Sequence, residues 1–120
     1  MTKLKAKKLI TEWQQRLRLM DWIVNTKFLP IERLPDKLAE SSISSDRKVC
    51  RLFFRWPHTT NYGEEESIES TIIHELLHCH LEPFYPVNPE KNKARVILLE
   101  QAVDLIAEAL YTAKYNKDIK

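Results

Sequence analysis

Apolar residues recur along this chain with two periods, and those periods divide it into elements. Across residues 4–20, Leu9, Ile10, Trp13, Leu17 and Met20 form one stripe at helical spacing, while Lys7, Lys8, Glu12, Arg16 and Arg18 fall mostly elsewhere. That pattern predicts a first helix, laid over a sheet or over the back of another helix. Residues 22–28, Trp-Ile-Val-Asn-Thr-Lys-Phe, are short and rich in β formers and predict a strand. Pro30 and Pro35 mark a connection. Residues 37–44 are a weaker strand pattern built on Leu38 and Ile43, with serines that suit an edge. Ser44-Ser45-Asp46 has turn chemistry, and 48–54, with Val49, Leu52, Phe53 and Phe54, is a third strand. Strands two and three are expected to form a hairpin about that turn.

A loop follows through Gly63, the single glycine. A second helix is expected from near Glu64 to Leu81, with Asn61 as its cap and Glu64, Glu65 and Glu66 at the positive end of its dipole. Ile68, Ile72, Ile73, Leu76, Leu77 and Leu81 are too many for one narrow stripe, so this helix should be largely buried. Pro83 ends it. Asn88-Pro89 signals the start of a third helix running to about Tyr115, striped by Val96, Leu99, Val103, Ile106 and Leu110. The order helix, three strands, helix, helix describes an α+β fold in one domain spanning residues 1–120.

The composition narrows the class. With 43% hydrophobic and 30% charged residues, the chain is of the folding kind. Its apolar runs are too short to span a membrane. The basic first residues lead into no adequate apolar segment, so the expected location is cytoplasmic. The net charge is only +2, but residues 1–20 hold six Lys or Arg against one Glu. A solvated face is the ordinary reading of that helix, and nucleic-acid contact is the alternative. Cys50 and Cys79 are the only cysteines and form no C-x-x-C pair, so they are expected as reduced thiols, with Cys79 buried. Trp13, Trp22 and Trp56 are expected as core or loop anchors, with a groove wall as the other role for Trp56.

The chemistry concentrates in His74-Glu75-Leu76-Leu77-His78. On a helix, residues four apart lie on one face, so two imidazoles can reach one metal while Glu75 projects beside them toward a metal-bound water. This is the zinc-hydrolase constellation. A catalytic zinc needs a third protein ligand, and His80, Glu82, Glu90, Glu100 and Asp104 are the candidates after His78. His80 points some 200° round the helix from His78, at about 100° per residue. Glu82 would have to fold back along its own helix, and Glu90 lies at the very start of helix three. Glu100, at the margin of the apolar stripe, can reach a metal on helix two. Asp104, one turn on, can accept a hydrogen bond from the outer nitrogen of a histidine.

H-E-x-x-H followed by Glu100-x-x-x-Asp104 resembles the gluzincin metallopeptidases, the thermolysin-like group. The small size resembles minimal gluzincins and phage-encoded metallopeptidase-like proteins near the wider SprT-like set. Asp21-Trp22, residues 69–81 and residues 99–104 carry the likeness. The resemblance implies a zinc cofactor held by His74, His78 and Glu100, Glu75 as general base, Asp104 supporting a histidine, and a peptide or protein substrate. Within residues 1–120 the chain departs from the pattern: no glycine follows His78 as in the metzincins, and neither the further domain that supplies a transition-state donor nor a cysteine-rich zinc module is expected there. Donor candidates are His58, Tyr62, Tyr85, Tyr111 and Tyr115, of which His58 and Tyr85 are best placed. An edge strand could pair with an extended peptide, and Arg47, Lys48 or Arg51 could meet its acidic groups. The expected activity is zinc-dependent endopeptidase. The alternatives are a DNA-associated SprT-like protease or accessory factor, and a catalytically silent interaction module stabilised by zinc.

Overall fold

The third strand is the most apolar and takes the centre of the sheet. In the computed structural model, which describes residues 1–59 and 67–116, the elements are α1 (Lys3–Arg16), β1 (Ile23–Leu29), β2 (Ala39–Ser44), β3 (Val49–Arg55), α2 (Ile68–Leu81) and α3 (Lys93–Tyr115). Single 3₁₀ turns lie at Ile31–Arg33, Glu82–Phe84 and Pro89–Lys91. The sheet order is β1-β3-β2. Alternate residues Cys50, Leu52 and Phe54 of β3 are fully buried, as befits a strand with neighbours on both sides. β2, sequence Ala-Glu-Ser-Ser-Ile-Ser, takes an edge and pairs antiparallel with β3, Ser44 opposite Val49, forming the expected hairpin. Lys48 closes the connection in the left-handed region at φ 54°. β1 pairs with β3 in parallel, Ile23 opposite Val49. The local pattern holds no trace of that pairing, because it depends on how the chain between Leu29 and Val49 returns.

The buried face of the sheet meets α2, and α1 and α3 flank it. Ala6, Ile10 and Trp13 of α1 join Ile72, Ile73 and Leu76 of α2 and Val103 and Ala107 of α3 in one core. Burying a side chain the size of Leu or Ile contributes about 1.5–3 kcal/mol, so the three fully buried residues of α2 anchor that helix strongly. α2 is largely buried, as its crowded apolar pattern predicts. It begins at Ile68, where Ser67 accepts a hydrogen bond from the Ser70 amide at 3.2 Å. The cap expected at Asn61 and the start expected near Glu64 lie outside the described residues.

Three expectations, one on α1 and two on α3, are corrected. α1 stops at Arg16, not near residue 20, because the chain turns left-handed at Arg18, φ 60°. Arg18 N–H then donates to Gln15 O (3.1 Å) and Leu19 N–H to Gln14 O (2.8 Å), which closes the helix end. The change of phase sends Leu19 into the core and leaves Met20 62% exposed. Glycine usually marks such an end, and none stands here. On α3, Asn88-Pro89 opens only a 3₁₀ turn, with the Asn88 side chain accepting from Lys91 N–H at 3.3 Å, and the α-helix starts at Lys93. Its stripe is also narrower than the pattern suggests. Ala107 is buried and Ile106 is 41% exposed, since small residues allow the closest approach to α2. No helix among the described residues is long and apolar enough to cross a membrane.

Candidate metal centre

The site sits where the second half of α2 faces the first half of α3. α2 and α3 run in opposite chain directions, because His74 meets Asp104 while Glu69, five residues earlier, meets Lys114. His74 and His78 lie one turn apart and meet edge to face, with ring centroids 5.2 Å from each other. Glu100 faces both. Its Oε2 lies 3.5 Å from His74 Nε2 and its Oε1 3.6 Å from His78 Nε2. All three ligand atoms fall within 4.8 Å of one another. A tetrahedral ion with bonds of about 2.1 Å sets its ligands about 3.4 Å apart, and each Glu100 oxygen stands about that far from one of the two histidines. Two imidazoles and a carboxylate are also the donor set of a catalytic zinc site with one position left for water. The His74–His78–Glu100 cluster is suited by geometry and by chemistry to hold a metal ion.

The surroundings orient these groups. His74 Nδ1 lies 2.8 Å from Asp104 Oδ1, so the carboxylate accepts from Nδ1–H and leaves Nε2 with its lone pair toward the cluster. The Tyr85 hydroxyl donates to Glu100 Oε1 at 2.6 Å, and its ring lies 5.5 Å from that of His78. Burial, and then the bond to Glu100, push the Tyr85 phenol well above its ordinary value, so it stays a neutral donor. Glu75 is 8% exposed, and its Oε2 is 3.8 Å from His74 Nε2, beside the cluster and within reach of a bridging water.

An open hollow of about 430 Å³ lies over the cluster, walled by Ala39, Glu40 and Ser41 of β2, by Lys37, and by Glu82 and Tyr85. A second hollow of about 450 Å³ shares Ala39, His74 and Glu75 and continues between Leu38, Ala107 and Tyr111. The edge strand β2 therefore runs along one groove with the histidines and Glu75 at its middle.

The other candidates lie elsewhere. His58 is buried, with Nε2 3.1 Å from Thr71 Oγ1 and its ring against Phe54, and it lines neither hollow. Tyr111 walls the second hollow, Tyr115 bonds to Glu69, and Tyr62 lies outside the described residues. His80 Nε2 donates to the Leu17 carbonyl at 2.6 Å, on the far side of α2 from the cluster. Glu82 walls the hollow without joining the cluster, and Glu90 is exposed on its 3₁₀ turn. Trp56 packs edge-on against Phe28 at 5.0 Å, away from the groove. Lys48 pairs with Asp21, and neither Arg47 nor Arg51 lines the groove. Cys50 and Cys79 are free and buried, and contact with Cys79 together with burial pushes the Cys50 thiol up.

Three contacts of the site and its frame are encoded in no local pattern. β2 borders the site because of the sheet order, which no local pattern encodes. Tyr85 touches Glu100 because the turn Glu82–Phe84 folds the chain back over His78. Glu69 is the third. Its only signal is an acid set among the buried positions Ile68 and Ile72.

Comparison with protein families, with curated proteins and with solved structures returned no match for this chain. The geometry itself defines the class: a zincin-like H-E-x-x-H metal-binding motif, completed by a glutamate from the following helix, on a small α+β frame.

Proposed function

We propose that this chain is a zinc-dependent endopeptidase, acting on an extended peptide laid along β2. One observation carries the reading: the ligand atoms of His74, His78 and Glu100 converge within 4.8 Å, with the Glu75 carboxylate alongside and open to the groove. Zinc bound there supplies a Lewis acid that polarises a carbonyl and acidifies water. Glu75 accepts one proton of the attacking water and delivers it to the departing amine as the amide bond breaks, while the water's oxygen and its other proton remain on the new carboxyl group. Asp104 holds the His74 ring in the tautomer that presents Nε2 inward. Tyr85, kept protonated and donating to Glu100 beside the cluster, is the donor this reading assigns to the oxygen that gathers charge. His58 has no such access.

Among the described residues β2 pairs with β3 alone, so its other edge offers backbone donors and acceptors to a peptide. The hollow between Leu38, Ala107 and Tyr111 suits an apolar side chain beside the scissile bond, whereas Lys37, Glu40 and Glu82 make the opposite side charged. Zinc content measured beside hydrolysis of a quenched fluorescent peptide library tests the proposal. Hydrolysis should disappear with a chelator, return with zinc, and be absent in Glu75→Gln that retains its zinc. If Glu75→Gln and the parent both bind zinc and neither cleaves, the reading as a silent zinc-stabilised module replaces it.

A second reading has one observation on its side. Lys3, Lys5, Lys7 and Lys8 all stand at exposed positions on α1, as a phosphate backbone would require. Under that reading DNA binding weakens steeply with salt and is lost when the four are neutralised.

A further inference from the structure

Glu69 is 6% exposed, yet it is a carboxylate on the most buried helix. Its Oε2 accepts from Trp13 Nε1 of α1 at 2.7 Å and from Lys114 Nζ of α3 at 2.5 Å, and its Oε1 accepts from the Tyr115 hydroxyl. Lys114 Nζ also lies 2.8 Å from Glu12 Oε2 of α1. Three helices thus meet in one hydrogen-bonded cluster. Burial opposes charge on Glu69, but the bonds from Lys114, Tyr115 and Trp13 hold its carboxyl below the ordinary range. Burial likewise opposes charge on Lys114, and bonds to Glu12 and Glu69 overcome it and raise its value.

The cluster lies at the opposite end of the α2–α3 contact from the metal ligands. Lys114 is fourteen residues beyond Glu100 on one unbroken helix, or about 21 Å along its axis. Between them α3 buries Val103 and Ala107 and packs Leu110 and Tyr111, partly buried, against the core. A seam this narrow resists sliding and turning less than directional bonds to a buried carboxylate do. Turning α3 by about 20° would carry a side-chain tip about 6 Å from its axis through about 2 Å. A functional site tolerates about 0.5 Å. Small errors in the setting of α3 therefore reach the ligands.

We propose that Glu69, Lys114 and Tyr115 are positioning residues that set α3 on α2, and through it the affinity of the His74–His78–Glu100 site for its metal. The proposal rests on the reading that those three side chains bind zinc. None of the positioning residues touches the ligands, so their effect travels through the helix.

The test uses the full chain, with zinc affinity measured by competition against a chromophoric chelator. In the metal-free protein, imidazole ¹⁵N spectra report the His74 tautomer held by Asp104. Lys114→Met should weaken zinc binding at least tenfold and release His74 into mixed tautomers, and Lys114→Arg should restore most of both. Tyr115→Phe, which removes one hydroxyl and keeps the ring, should weaken zinc binding severalfold and serves where Lys114→Met does not fold. Phe28→Leu, in the packing against Trp56 on the far strand, should lower the melting temperature and leave both readouts unchanged. Folded Lys114→Met or Tyr115→Phe with parental zinc affinity and a parental His74 spectrum overturns the proposal, as does an equal loss in Phe28→Leu. A parent chain that takes up no zinc overturns the metal reading instead. The tautomer spectra then decide the positioning role alone.

Discussion

α2 and α3 build one cluster from opposite situations. α2 buries nine of its fourteen residues, so His74 and His78 stand on a helix held by core on several sides. α3 is longer, at 23 residues, and buries only Val103 and Ala107. Leu98 and Leu105 on its outer face are 65% and 67% exposed. The spacing of the two histidines is internal to one rigid helix and needs no help. The placement of Glu100 and Asp104 is a relation between two helices, set by a narrow apolar seam and by polar ties at each end. A ligand on a buried helix is secured by packing, whereas one on a surface helix depends on what pins that helix down.

The contrast can be broken or sharpened in order of expected effect. The largest effect belongs to α2. Glu75→Gln should lower peptide hydrolysis by about a hundredfold to ten-thousandfold with zinc content unchanged, as steady-state kinetics and metal analysis would show. Next, Ile73→Ala, at a fully buried position, should cost about 2–5 kcal/mol in urea unfolding. On α3, Asp104→Asn should weaken zinc by about tenfold, the low end for a group supporting a ligand, because its side chain is 69% exposed. A loss as large as that of a histidine ligand would place Asp104 on the metal.

A smaller effect appears with acid. The Glu69 carboxyl is held below its ordinary value of 4.5. The unfolded chain then binds the proton first, so this contribution to stability is complete above pH 4.5 and is lost as pH falls through the lower folded value. For Lys114 the sign reverses. Its value is raised above the ordinary 10.5, so its contribution is complete below pH 10.5 and is lost as pH climbs through the higher folded value. Urea midpoints of the metal-free protein should fall at the acid end, and Glu69→Gln should flatten that fall. The smallest change is Leu105→Ser, expected within about 0.5 kcal/mol. A loss like that of Ile73→Ala would mean that the outer face of α3 is covered, and the contrast between the helices would fail.

Much of this was legible beforehand, and the limits have physical causes. The hairpin of β2 and β3 follows from a turn between two alternating runs, and the burial of α2 follows from its surplus of isoleucine and leucine. Met20 and Ile106 went astray for related reasons. A periodicity assumes that the helix continues and that every apolar position faces the same neighbour. The left-handed turn at Arg18 breaks the first assumption, and the close seam at Ala107 breaks the second. The sequence offers Tyr85 as a candidate donor, but its bond to Glu100 joins residues fifteen apart across a turn and leaves no local signal.

By itself the sequence determined the α2 half of the centre. Two histidines and a glutamate on one helix have their relative positions dictated by helical geometry and need no fold to be recognised. Only the tertiary structure decided that Glu100 meets them, that β2 borders the groove, and that Glu69 ties the three helices together. Each of these is a meeting of residues far apart in the chain, chosen by the packing that buries the apolar faces of the helices and sheet together and, at Glu69, by the bonds that satisfy a buried carboxylate.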